Sequence, residues 1–192
     1  MTPGPLRAPG PRRVGGDGVV AVFVADEQDA QPVEAARWGA LAERVLADEG
    51  VRGEVELSLL FVDREAITVL NRDFMGGDGP TDVLSFPIDG ELAQSGRWPD
   101  TGGSGPHRSG PDLDDLPLLL GDIVLCPEVA AANAPDHAGA YDDEIALLIV
   151  HGILHLLGMD HAEDDERLAM QARERDLLGR LYGPMHRDPW TS

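Results

Sequence analysis

The residues best suited to chemistry lie between His151 and His161, in the stretch HGILHLLGMDH. His151 and His155 are four apart, so on a helix their imidazoles share one face, a turn from each other. Residues Ile145 to Leu157 are almost all apolar, which predicts a buried helix rather than a surface one. Gly158 can take a left-handed conformation and end that helix, and the turn can bring His161 back towards the first two. Three neutral imidazoles converging on a point, with no fourth protein ligand in the stretch, describe a zinc site with an open coordination position. Water binds at such a position, and its pKa falls towards about 7. A lone histidine on an apolar helix is more often a hydrogen-bonded core residue. Three at this spacing are poorly explained by packing, because burying them without partners costs roughly 1–3 kcal/mol each.

Other candidates are weaker. Asp160 precedes the third histidine; it could hydrogen-bond a ligand imidazole or the bound water, or serve only as a turn residue after Gly158. Cys126 follows a strand-like run and precedes a proline, where a small buried hydrophobe is the expected reading. His107, His137 and His186 lie in loop-like or terminal sequence without partners at ligand spacing, and are expected at the surface. In Thr81-Asp82-Val83-Leu84-Ser85-Phe86-Pro87, Asp82 or Ser85 could stand at the rim of a cleft, or equally in a cap and a turn.

The elements that must position these residues follow from periodicity. Val19–Val24 reads as a first strand, and Val33–Asp48 has apolar residues at helical spacing and stops at Gly50. Val55–Phe61 alternates Val55, Leu57, Leu59 and Phe61 on one face, the pattern of a strand. Asp63 is placed to cap a helix running to about Asn71. A turn leads to a short strand around Val83–Phe86, and Leu118–Leu125 returns to strand character. Pro127 suits the first turn of a helix. The last helix, about Glu163–Leu181, is expected to carry Leu168, Leu177, Leu178 and Leu181 inward and arginines outward. This order predicts an α+β domain: a small mixed β-sheet packed against helices, with a buried histidine-bearing helix forming the metal site. Residues 1–16 read as a disordered tail, 17–186 as a single domain interrupted by a flexible insertion over 90–117, and 187–192 as a C-terminal tail.

Composition narrows the function classes. At 192 residues the chain suits one domain with a real core. Its formal net charge is −20 and it contains no lysine, every Lys/Arg position being arginine. That balance argues against loose, sequence-blind nucleic-acid binding, which rests on cationic contacts, without excluding a local arginine-lined groove. Asp142-Asp143-Glu144 and Glu163-Asp164-Asp165-Glu166 stand where helices are expected to begin, and the helix dipole favours carboxylates there. One cysteine allows no internal disulfide and suits a reducing compartment. Without a secretory-type leader or a membrane-length apolar run, the expected location is the cytoplasm.

The run HGILHLLGMDH resembles the signature H-G-x-L-H-L-x-G-x-D-H of the YbeY endoribonuclease (rRNA maturation factor) family. Leu70-Asn71 through Phe74 followed by Pro80 to Pro87 is similar to that family's second motif, and Gly121-Asp122-Ile123-Val124 to its third. The resemblance covers roughly residues 19–182 apart from the insertion. It implies a single-strand-specific, zinc-dependent endoribonuclease acting in 16S rRNA 3′-end maturation and late ribosome quality control. The implied partners are single-stranded rRNA and the small ribosomal subunit or its proteins. His151, His155 and His161 match the family's ligands for one Zn(2+) per chain. The chain departs from the family pattern at Met75, where members often carry an arginine thought to help with phosphate. Arg72 or Arg64 would have to take that role.

Two rivals stay in view. The spacing of the three histidines is also that of metzincin proteases, which need a glutamate general base directly after the first histidine. Here that residue is Gly152, which can do no proton chemistry. The other rival is a non-catalytic ribosome-assembly factor whose zinc is purely structural. Such sites are normally closed by four protein ligands.

Overall fold

The computed structural model describes residues 20–88 and 117–191. The N-terminal tail, Val19, His107 and residues 90–116 of the expected insertion lie outside the described residues. Among the described residues the chain forms one four-stranded mixed sheet and five α-helices, the expected α+β architecture. β1 (Val20–Asp26) and β2 (Val55–Phe61) are parallel neighbours, and β4 (Leu118–Leu125) lies parallel on the other side of β2. β3 (Val83–Pro87) closes the far edge antiparallel to β4, giving the order β1-β2-β4-β3. β2 is interior, and its alternating Val55, Leu57, Leu59 and Phe61 are all fully buried.

The helices are set by local signals. α1 (Ala35–Asp48) buries Trp38, Leu41, Ala42, Val45 and Leu46, a stripe at helical spacing; it starts two residues after Val33, which still packs on the core. α2 (Arg64–Leu70) is capped as expected, the Asp63 carboxylate accepting from the Ala66 amide at 2.8 Å. Past it the chain makes one π-helical turn, Asn71–Met75, ended by left-handed Gly76. α3 (Pro127–Asn133) carries its proline in the first turn, where the missing N–H would have had no partner.

α4 (Tyr141–Leu156) is the histidine helix, buried from Asp143 to Val150 and again at Gly152–Leu154. It packs on β3 and β4 and is flanked by α1, α3 and α5. A Cβ at Gly152 would stand only 3.0 Å from Ile123 Cγ2 and 3.1 Å from Ser85 Oγ. The absent side chain therefore lets the helix approach the sheet beside the first histidine. The position that carries a general base in metzincins is here turned into the core. Gly158 has a φ of 88° and donates to the His155 carbonyl at 2.9 Å, ending the helix.

α5 (Asp164–Leu181) opens with a reciprocal capping box between Glu163 and Glu166. Its buried residues are Met170, Glu174, Leu177 and Leu178. Leu168 corrects the expectation: it is 60% exposed. Nine residues separate it from Leu177, about 2.5 turns, which puts the two on opposite faces. The arginines of α5 face outward and are engaged, Arg173 with Asp48 and Glu49 and Arg180 with Asp48, tying α5 to the end of α1.

The acidic run at the start of α4 does more than suit the helix dipole. Asp143 and Glu144 are buried. Asp143 accepts from the Tyr182 hydroxyl at 2.7 Å, the His186 amide at 2.6 Å and the His186 ring at 2.8 Å. Glu144 faces the His137 ring at 2.9 Å and accepts from the Ala138 amide at 3.2 Å. His137 and His186 thus keep exposed rings, as expected, but each is tied to a buried carboxylate. Residues 187–191, expected as a tail, fold back onto the domain through Arg187 and Trp190. No helix among the described residues is long and apolar enough to cross a membrane.

Burial alone would raise the Asp143 carboxyl, but its donors outweigh it and hold the group below the ordinary carboxylate range. A depressed folded value means the contribution to stability is fully present above about pH 4 and is lost as pH falls through the folded value. Asp143→Asn should therefore cost about 1–3 kcal/mol near neutrality and flatten the acid limb of a stability-against-pH curve measured by urea unfolding.

Candidate metal centre

Helix geometry and one turn bring the three histidines together. His151 and His155 project from the last two turns of α4, and the Gly158 turn returns His161. Their rings lie 4.5 Å, 5.5 Å and 4.9 Å apart, centroid to centroid. One nitrogen from each can be chosen so that all three lie within 4.8 Å of one another. His155 is half-buried at the floor, and His161 is exposed at the mouth.

Hydrogen bonds decide which nitrogens are available. His155 Nδ1 is 3.0 Å from the Met159 carbonyl oxygen, which can only accept, so this nitrogen carries the proton. His151 Nδ1 is 2.7 Å from Glu174 Oε1 and by the same logic donates to the carboxylate. Both Nε2 atoms are then left with bare lone pairs, 3.0 Å apart. Two lone pairs held this close repel unless a cation lies between them. Burial, reinforced by the neighbouring His151 and His161, also holds His155 below the ordinary histidine value, keeping it neutral and able to ligate. The donor set fits a divalent ion that favours imidazole.

The trio stands between two recesses. The larger, about 510 Å³, is lined by Ser85, Met75, Gly158 and Asp160 together with all three histidines. The smaller, about 300 Å³, lies on the α5 side, where His151 and His161 meet Asp82, Arg167, Glu174 and Trp190. Asp160 therefore shares the cleft with the trio, and its Oδ1 accepts from the His161 amide at 2.7 Å, holding the turn that presents His161. Ser85 stands in the larger cleft. Asp82 stands in the smaller one, where its carboxylate accepts from Asn133 at 3.1 Å.

Arg72 and Arg64 line neither recess. Arg72 pairs with Asp73 at 2.9 Å, and Arg64 pairs with Glu128 at 2.8 Å. Among the described residues, Arg167 is the arginine that borders the histidines. Cys126 is fully buried among Val62, Ile67, Leu84, Val124 and Val129, and burial pushes its thiol up, as expected of a packing residue.

Glu174 is the residue the sequence reading did not single out. It is 4% exposed and sits on the same stripe as Met170, Leu177 and Leu178. A carboxylate on an apolar stripe is the signal that could have found it, since a buried charge needs a dedicated partner.

The model of the family described as "Endoribonuclease YbeY" matches residues 23–182, which include the whole histidine trio. The endoribonuclease YbeY of Frankia casuarinae is 44% identical over 165 residues, covering 85% of this chain and 76% of that protein. The corresponding protein of Salinispora tropica is 47% identical over 141 residues, 72% of this chain and 82% of that one. The solution structure of TM1509 from Thermotoga maritima aligns with 82% of this chain and 89% of that one, at 22% identity and a TM-score of 0.47. With a match that runs from β1 to the end of the last helix, the chain belongs to the YbeY endoribonuclease family.

Proposed function

We propose that this chain is a zinc-dependent endoribonuclease that cuts single-stranded RNA, working in the cytoplasm on the 3′ end of 16S rRNA and in late ribosome quality control. The observation that carries this reading is the pair of bare Nε2 atoms 3.0 Å apart, completed by His161, at the edge of an open cleft of about 510 Å³. The endoribonuclease activity named for its relatives supports the same reading. A zinc ion held there would supply charge stabilisation for a phosphoryl oxygen and a lowered pKa for a bound water.

The chain's own residues do the rest. His151, His155 and His161 would hold the ion, with Glu174 and the Met159 carbonyl fixing the first two rings. Asp160 holds His161 in place and presents its carboxylate to the same cleft. The cation best placed for a substrate phosphate is Arg167, whose pairing with Asp164 is a half-exposed contact one turn along α5 and so worth little. The small ribosomal subunit is the partner that would present such a strand. A purely structural zinc would normally have four protein ligands, whereas the cluster among the described residues offers three.

Metal-replete protein should cleave single-stranded rRNA, and both chelation and His155→Ala should abolish cutting. Cleavage indifferent to both treatments would mean a contaminating nuclease and leave the assembly-factor reading ahead. Peptide libraries should remain uncut.

Arg167→Ala should raise KM for RNA by roughly 10–100-fold, one charge-assisted contact being worth about 1.5–3 kcal/mol. It should also lower the slope of log affinity against log salt by about 0.7, one phosphate on a single strand. Arg72→Ala is the comparison. A larger effect there would move the phosphate contact to the π-helical turn.

A further inference from the structure

The C-terminal segment, of which residues 187–192 are expected as a tail, makes the contact that completes the support of His151. Glu174 uses both carboxylate oxygens: Oε1 accepts from His151 Nδ1 at 2.7 Å and Oε2 accepts from the Trp190 indole N–H at 2.8 Å. The indole can only donate, so it fixes which way the carboxylate faces. With Oε2 taken by the indole, Oε1 is left facing the His151 N–H. Trp190 is itself held in place. The Arg175 guanidinium lies 4.5 Å over its ring, and its amide donates to Asp188 at 3.0 Å. Upstream, His186 is bound to buried Asp143, and Arg187 donates to the carbonyls of Ala138 and Pro135, each at 3.1 Å. The segment therefore leaves the end of α5, crosses the start of α4, and returns to the middle of α5.

We propose that residues 186–190 form a strap that sets the metal affinity of the histidine trio, with Trp190 and Glu174 as positioning residues that aim His151 Nε2. The inference rests on the metal reading above but not on the RNA reading. Supports of this kind are typically worth 10–100-fold in metal affinity. The two-sided carboxylate also predicts an unusual coupling. A glutamine at 174 has one accepting oxygen and one donating amide, so facing two donors it must lose one contact. Removing the indole donor as well lets the amide oxygen turn to His151 with nothing opposing it.

The test is zinc affinity of the full chain, measured by competition with a chromophoric chelator at fixed pH, alongside thermal unfolding of the metal-free protein. Trp190→Phe, which keeps an aromatic ring and removes the N–H, should bind zinc about tenfold more weakly. Glu174→Gln should lose about 10–100-fold, and the double variant E174Q/W190F should bind more tightly than E174Q alone. Parent-like affinity in W190F overturns the strap, even if its melting temperature falls. A double variant as weak as the two single losses combined also overturns it. A parent chain that takes up no zinc removes the metal reading and the strap together, whereas zinc binding without RNA cleavage leaves the strap standing and removes the nuclease.

Discussion

Two imidazole nitrogens held lone pair to lone pair, 3.0 Å apart, are the contact on which the rest of this structure turns. Left to themselves the rings would rotate or take up a proton. They cannot rotate freely, because the opposite nitrogen of each is tied down: His151 by a carboxylate on α5, His155 by a carbonyl in the turn that follows its own helix. The tethers aim both Nε2 lone pairs at the same point, where a divalent cation would be shared between them. Preorganisation of this kind places the cost of assembling ligands on folding rather than on metal binding.

Folding can bear that cost because α4 is surrounded. Its apolar residues face the sheet on one side and three helices on the others, so the helix that carries two of the histidines is among the most constrained segments of the chain. Gly152 brings it close to β3 and β4, and of the charged groups in its first turn Asp143 is satisfied by Tyr182 and His186, Glu144 by His137 and Ala138, and Asp142 by Arg37. No fully buried side-chain nitrogen or oxygen among the described residues is left without a partner. The rigidity of the site is the rigidity of the core it emerges from.

Charge follows a different logic. Several arginines are occupied by acids from distant elements, as in Arg37 with Asp142, Arg64 with Glu128 and Arg180 with Asp48. These pairs stitch elements together and leave little positive field to attract a polyanion from a distance. Recognition of an anionic group at the histidines would therefore rest on short-range contacts rather than on long-range attraction.

Periodicity and local capping made much of the fold readable. The alternation of β2, the apolar length of α4, the Asp63 cap and the Gly158 stop all depend on residues within a few positions of one another, so the chain specifies them locally. The convergence of His151, His155 and His161 was readable for the same reason: one helical turn and one glycine turn bring them together. Leu168 shows where this reading slips, since counting apolar residues without following their angle put it on the wrong face. Glu174, Trp190, Asp143 and Arg167 could not be placed that way. The roles of Glu174, Trp190 and Asp143 come from pairings across 16 to 43 residues, and that of Arg167 from the recess it shares with the histidines, all between elements whose packing is decided only when the whole core closes. Sequence by itself therefore determined the three donors, the helix that bears two of them and the glycine turn that returns the third. Tertiary structure alone decided which nitrogen of His151 faces inward, because its acceptor, Glu174, lies 23 residues away on another helix, whereas the carbonyl that fixes His155 is in the adjoining turn.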